Sequence, residues 1–116
     1  MDEIMLAQKA ALLKTMAHSS RLHLLVALAR GQGCDVTTLI GQCGQPQPYV
    51  SQQLRILREA GLVAGEKHGL RVCYRLADPQ VIEVLDALGL LDRPASARWQ
   101  NYLGNNAPDS RRLPAS

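Results

Sequence analysis

Apolar side chains recur at helical spacing along most of the chain, and the pattern switches once to strict alternation. The spacing predicts a first amphipathic helix from about Asp2 to Ala17, with Ile4, Met5, Leu6, Leu12, Leu13 and Met16 forming a broad apolar side. A stripe that broad on a terminal helix asks for more than one surface to bury it. His18-Ser19-Ser20 breaks the pattern, and either serine suits an N-cap. A second helix, Arg21 to Arg30, carries Leu22, Leu24, Leu25, Val26 and Leu28 and is expected at the centre of the core, with Gly31 and Gly33 ending it. Asp35 suits the N-cap of a short third helix, where Val36, Leu39, Ile40 and Cys43 fall at i, i+3, i+4 and i+7.

Gly44 to Pro46 reads as a turn into a fourth helix, with Pro48 in its first turn, an apolar face of Val50, Leu54 and Leu57, and Gly61 as its stop. The next stretch, LVAGEKHGLRVCYRL, sets Val72, Tyr74 and Leu76 against Arg71, Cys73 and Arg75, the alternation of a β-hairpin. His68-Gly69 is the expected turn. Asp78-Pro79 then opens a fifth helix, with Asp as cap and Pro at the first position. The fold class predicted is mainly α with one hairpin, in the order helix, helix, helix, helix, strand, strand, helix.

The fifth helix carries Val81, Ile82, Val84, Leu85, Leu88, Leu90 and Leu91, more apolar surface than a small monomer needs. Pairing of the first and fifth helices across a two-fold dimer interface accounts for it, drawing on Met5, Leu12, Met16, Val81, Leu85 and Leu88; the other reading is that both helices wrap their own core. From Asp92 the composition turns to Pro, Asn, Ser and Arg. Residues 1–91 therefore read as one folded domain and 92–116 as an extension, with Trp99, Tyr102 and Leu103 spaced like one helical turn and the last residues, Ala107 to Ser116, expected to be disordered.

Composition sharpens this only slightly. A chain of 116 residues forms one core, and without phenylalanine that core must be filled by Leu, Val and Ile. A net charge of +3 permits nucleic-acid binding without compelling it, and a dimer doubles the field. No long apolar run spans a membrane, MDEIMLAQK lacks a signal-peptide layout, and three cysteines form no scaffold pattern, so reduced cytoplasm is the expectation.

Function is most legible between Gln45 and Leu76. A short helix with a polar leading end runs directly into a hairpin with a basic tip. The third and fourth helices make a helix-turn-helix pair, and the hairpin adds a wing. Gln47, Tyr49, Ser51, Gln52 and Arg55 stand near the leading end of the fourth helix. Gln and Arg pair bidentately with adenine and guanine edges, while Ser and Tyr hydroxyls suit phosphates. Lys67, His68 and Arg71 lie at or near the wing tip. The order predicts a winged helix-turn-helix that reads double-stranded operator DNA. The competing reading is a winged helix that docks a partner protein through Tyr49, Gln52 and Arg55. No Gly-rich phosphate loop, paired-carboxylate frame or nucleophile–base motif supports an enzyme.

The strings LLKTMAHSSRLHLLVAL, DVTTLIG, YVSQQLRILREAGLV and RVCYRLAD resemble the ArsR/SmtB family of bacterial winged-helix repressors, over residues from about 4 to 91. The resemblance implies a homodimeric cytoplasmic repressor on an inverted-repeat operator, released by an inducer. Two departures concern that inducer. Relatives with a Cys-x-Cys pair at the start of the third helix bind arsenic, cadmium or lead there, whereas this chain has the single Cys34 before Asp35-Val36-Thr37-Thr38. Relatives with a zinc site on the fifth helix use histidine, whereas DPQVIEVLDALGLL has only Asp78, Glu83 and Asp86. The cysteines on the second and fifth helices of persulfide-sensing relatives are also missing.

The remaining candidate chemistry is thiol chemistry. Cys34 sits beside a helix N-terminus, which stabilises a thiolate, or else packs on Leu39 as a hydrophobic staple. Cys73 is expected to face outward between Arg71 and Arg75, as a reactive or an idle thiol. Cys43, closing an apolar stripe, reads as a small core residue. The inducer expected is a thiophilic metal or metalloid such as As(III), with two or three thiolates, or a thiol-reactive species acting on Cys34 and Cys73; a ligand that touches no thiol is the alternative. His18 and His23 flank the start of the second helix and read as cap or core edge. Arg111 and Arg112 read as a solvated tail.

Overall fold

The computed structural model describes residues 2–91. Five helices and one hairpin follow in the expected order: α1 (Glu3–Met16), α2 (Ser19–Ala29), α3 (Val36–Cys43), α4 (Gln47–Glu59), β1 (Val63–His68), β2 (Arg71–Leu76) and α5 (Pro79–Ala87). Residues 92–116, including Trp99, Tyr102, Leu103, Arg111 and Arg112, lie outside the described residues.

Local chemistry explains most boundaries. Asp2 caps α1 by accepting from the Ile4 N–H at 2.9 Å, and Asp78 caps α5 by accepting from the Gln80 N–H at 2.9 Å. Gly44, at φ 68°, ends α3 in the left-handed conformation that glycine adopts without a Cβ penalty. α2 begins earlier than its apolar pattern, at Ser19, and His18 rather than a serine holds the N-cap position, with no side-chain bond to the helix. The wing turn is also displaced by one residue. His68 pairs with Arg71, so the two loop residues are Gly69 and Leu70 rather than His68-Gly69. Gly69 has φ 67° while Leu70 does not have a positive φ, which is what a hairpin turn with glycine at its first position requires.

The core is built around α2. Leu24, Leu25 and Ala27 meet Leu39 of α3, Val50, Leu54 and Leu57 of α4, Leu62 and Val63 at the start of the hairpin, and Val81 and Leu85 of α5. Met16, at the end of α1, closes one side. α1 otherwise commits little to this core: Ile4, Met5, Leu6 and Leu13 are exposed, as are Ile82 of α5 and Leu88 at its C-cap. The broad stripe therefore divides. Met16, Val81 and Leu85, expected on a dimer face, are consumed by the chain's own core. The free apolar surface is Ile4, Met5, Leu6, Leu13, Ile82 and Leu88.

The hairpin is fixed to the helical layer at the approach to α3. Cys73 of β2 forms an isolated antiparallel bridge with Asp35, so β2 is flanked by β1 on one edge and a single extended residue on the other. The Tyr74 N–H donates to the Cys34 carbonyl at 2.8 Å. Asp35 accepts from the Thr38 hydroxyl at 2.6 Å and pairs with Arg71 at 3.3 Å. Its carboxylate thus bonds to the Thr38 side chain instead of the helix backbone. The Thr38 hydroxyl first, then the Asp35 backbone N–H and the Arg71 charge, hold the Asp35 carboxyl below its ordinary value, against an opposing effect of burial.

Truncating Leu54, which is fully buried, to alanine is expected to destabilise the domain by about 2–5 kcal/mol in denaturant titration. A second outcome follows from Asp35. The folded protein favours its ionised form, so the contribution of the Asp35–Thr38–Arg71 contacts is in place above the ordinary carboxyl value of 3.8 and fades as the pH falls through it. Paired unfolding curves should show wild type more stable than Asp35→Asn near neutrality, with the gap closing in acid; a gap that widens on acidification contradicts this assignment.

Candidate nucleic-acid interface

α4 presents two unlike faces. Val50, Gln53, Leu54 and Leu57 point inward, while Gln47, Ser51, Gln52 and Arg55 are exposed. Pro46 and Pro48 at its start remove N–H groups that have no helical partner there, so the leading turn forms without a side-chain cap. Its polar face is stiffened by the Arg55–Glu59 ion pair at 3.0 Å, one helical turn apart. Tyr49, 39% exposed, turns its hydroxyl toward α2 and donates to Ser20 Oγ at 3.1 Å. It therefore helps seat α4 as well as edging the exposed face.

One side chain behind this face escapes the reading of the sequence. Gln53 is buried, and its side-chain oxygen accepts from Arg21 Nε at 2.9 Å. The same guanidinium donates to the Thr15 carbonyl near the end of α1 at 3.1 Å. One arginine of α2 thereby ties α4 to α1. A signal exists in the sequence: Gln53 falls three residues after Val50 on the inward stripe, where a polar group needs a partner.

The wing carries Lys67 and His68 on β1 and Arg71 on β2, all exposed. His68 lies 4.0 Å from Glu66. Arg71, expected as a cation available to DNA, is held by Asp35 at 3.3 Å while remaining largely exposed. Leu70 projects fully into solvent at the tip.

The three cysteines part company. Cys34 and Cys73 are joined by a disulfide, with Cα atoms 4.7 Å apart, within the usual disulfide range. This differs from the expectation of an outward Cys73 and of uniformly reduced thiols. Alternation places Cys73 on a face with Arg71 and Arg75, but the approach to α3 packs against that face at Cys73, and its Asp35 also pairs with Arg71. Cys43 remains a free thiol, half-buried, and burial pushes its pKa up, as suits a small core residue. His18 and His23 are exposed on the surface. Among the described residues no group of three or more His, Cys, Asp or Glu side chains is placed to hold a metal ion. Cys34 and Cys73 bring two sulfurs together, the lower end of the two or three thiolates expected for As(III). None of the described helices is long and apolar enough to cross a membrane.

Known proteins resemble the chain along most of its length. A family model described as "Bacterial regulatory protein, arsR family" matches residues 18–64, that is, α2 to the start of β1. The HTH-type transcriptional regulator NmtR of Mycobacterium tuberculosis is 40% identical over 106 residues, covering 84% of this chain and 88% of its own length. Among solved structures, reduced HlyU from Vibrio cholerae superposes with a TM-score of 0.67 at 35% identity, covering 74% of this chain and 93% of that one. The transcriptional repressor PagR of Bacillus anthracis superposes with a TM-score of 0.68 at 32% identity, covering 75% and 99%. The names of NmtR and PagR describe a transcriptional regulator and a transcriptional repressor. The winged helix-turn-helix described above, with an identity of that extent, establishes that the chain belongs to the ArsR family of bacterial transcriptional regulators.

Proposed function

We propose that the chain is a homodimeric, cytoplasmic repressor that binds an inverted-repeat operator and leaves it when an inducer acts. The observation that carries this reading is the exposed polar edge of α4, Gln47, Ser51, Gln52 and Arg55, standing free of the core and flanked by the basic wing. α4 enters the major groove, Gln52 and Arg55 read base edges, and Gln47, Tyr49 and Ser51 position the helix on phosphates. Lys67, His68 and Arg71 meet the flanking backbone or minor groove. Repression, rather than activation, is supported by relatives such as PagR, whose name describes a repressor.

A dimer is supported by the apolar side chains that the monomer leaves uncovered. Ile4, Met5, Leu6 and Leu13 of α1, with Ile82 of α5 and Leu88 at its C-cap, are too many to stay in water without cost. Pairing two copies through these helices sets two α4 helices one DNA turn apart, ~34 Å, matching a palindromic site.

Two experiments test the reading. Sedimentation at micromolar concentration should show a dimer for wild type and a monomer for a Leu6→Glu, Leu13→Glu double variant; a wild-type monomer that still binds a palindrome tightly would sink the dimer. In operator binding, Gln52→Ala is expected to cost about 1–3 kcal/mol and to relax sequence preference. Lys67→Ala weakens all sequences alike and lowers the salt slope by about 1 for each phosphate no longer neutralised. If both variants bind as wild type does, α4 and the wing are not the DNA face, and docking of a partner protein becomes the better reading.

A further inference from the structure

We propose that Cys34 and Cys73 form a reversible two-electron oxidation site, in which a hydroperoxide attacks at Cys34 and the resulting disulfide lowers affinity for operator DNA. The inference rests on the operator-binding reading above and names the inducer class that acts on it. Three observations support it.

The first is placement. Residues 34 and 73 are brought together by backbone contacts that do not need the sulfurs: the Asp35–Cys73 bridge and the bond from the Tyr74 N–H to the Cys34 carbonyl at 2.8 Å. The reduced thiols are therefore held within reach of each other, with Cα atoms 4.7 Å apart, and the bond forms without rearranging the fold.

The second is asymmetry. A shallow cleft of about 470 Å³ opens beside Cys34, lined also by Leu28, Tyr74 and Arg75; both cysteines are half-buried, and of the two only Cys34 borders this cleft. Solvent and oxidant reach Cys34 from this side. Arg75 places a cation in the same cleft, which favours a thiolate over a thiol. The Cys34 thiolate attacks the distal peroxide oxygen; the O–O bond breaks, the alkoxide or hydroxide leaves and takes a proton from solvent to become alcohol or water, and Cys34 becomes a sulfenic acid. The Cys73 sulfur then attacks the Cys34 sulfur. The S–S bond forms, the S–O bond breaks, and hydroxide departs with the Cys73 proton as water. A dithiol reductant reverses the bond, itself ending as a disulfide.

The third is what the bond restrains. Arg71 lies two residues before Cys73 and pairs with Asp35, the residue after Cys34. The covalent tie and the ion pair thus close the same short junction. With the tie present, β2 at Cys73 cannot part from Asp35, and Arg71 stays on a carboxylate instead of a phosphate. Without it, only the backbone contacts and the ion pair hold the junction, and a DNA phosphate competes with Asp35 for Arg71.

The test uses the full chain, reduced or treated with hydrogen peroxide or cumene hydroperoxide. Expected are a loss of two hydrogens per chain, a peptide linking residues 34 and 73, and no covalent dimer on a non-reducing gel. In Cys73→Ser, a sulfenic-acid trap should label Cys34, whereas Cys34→Ser should leave Cys73 unlabelled. Oxidised wild type should bind operator about tenfold more weakly with a shallower salt slope, since Arg71 of each protomer no longer neutralises a phosphate. Cys34→Ser and Cys73→Ser should bind like reduced wild type with or without peroxide, apart from the small effect of serine, and Cys43→Ser should respond as wild type does. Oxidised protein that binds as well as reduced protein overturns the inference while leaving the DNA reading intact, as does a bond that involves Cys43 or a second chain. If neither form binds operator, the DNA reading falls and this one falls with it.

Discussion

The constraint on which this structure most depends is that α2 must serve five neighbours at once. It touches α1, α3, α4, α5 and β2, and its Leu24, Leu25 and Ala27 are almost wholly withdrawn from solvent. The buried cluster is wholly non-aromatic, with Tyr74 only partly buried against it, so small side chains must interlock closely. The central helix therefore carries side chains to all sides, and the elements around it can keep polar outer faces. α4 shows the result: one narrow inward stripe holds it to α2, and the opposite face is free for another task. Function here follows from the core's being made elsewhere.

The same constraint explains why α1 is poorly engaged. Once α3, α4, α5 and β2 have taken the surface of α2, α1 reaches the core only through Met16, with Leu12 partly covered. The Arg21 guanidinium, bonded both to Gln53 and to the Thr15 carbonyl, makes a polar seam where an apolar one has no room. That seam joins the helix with the most uncovered apolar surface to the helix with the most exposed polar edge. One side chain, Arg21, thus contacts both α1 and α4.

Much of this is legible from spacing because it is local. Val36, Leu39, Ile40 and Cys43 announce a helix, and Asp78-Pro79 announces the start of another, through chemistry confined to a few neighbouring residues. What escapes is long-range. Nothing within β2 states that Asp35 will lie beside Cys73, so alternation places the thiol outward without knowing what covers it. The apolar stripe of α1 reports that burial is needed but not against which surface, which is why Met16 and Leu13 read alike and end differently. Gln53 is a missed signal of another kind: a polar residue in an inward register, whose partner sits 32 positions away. The wing turn slips by one because His-Gly and Gly-Leu both offer a glycine, and only the strand register, His68 against Arg71, decides between them.

The junction between the wing and α3 gathers more interactions than holding a two-stranded hairpin requires. A short hairpin with exposed edges is marginal by itself, and the run from Leu57 through Leu62 to Ala77 already fastens its base: the Leu62 N–H donates to the Leu57 carbonyl and the Ala77 N–H to the Leu62 carbonyl, each at 2.9 Å. The added bridge, ion pair and sulfur pair all fall farther along β2, at Arg71 and Cys73. There they govern the tip instead of the base. Arg71, the cation proposed to meet phosphate, is paired with a carboxylate on the protein's own surface, which lowers the attraction to any polyanion before contact. That arrangement works against tight binding if it is permanent, and it makes binding adjustable if the junction can loosen. The charge on Arg71 is therefore best understood together with the position of residue 35, and the position of residue 35 together with the state of the sulfurs beside it.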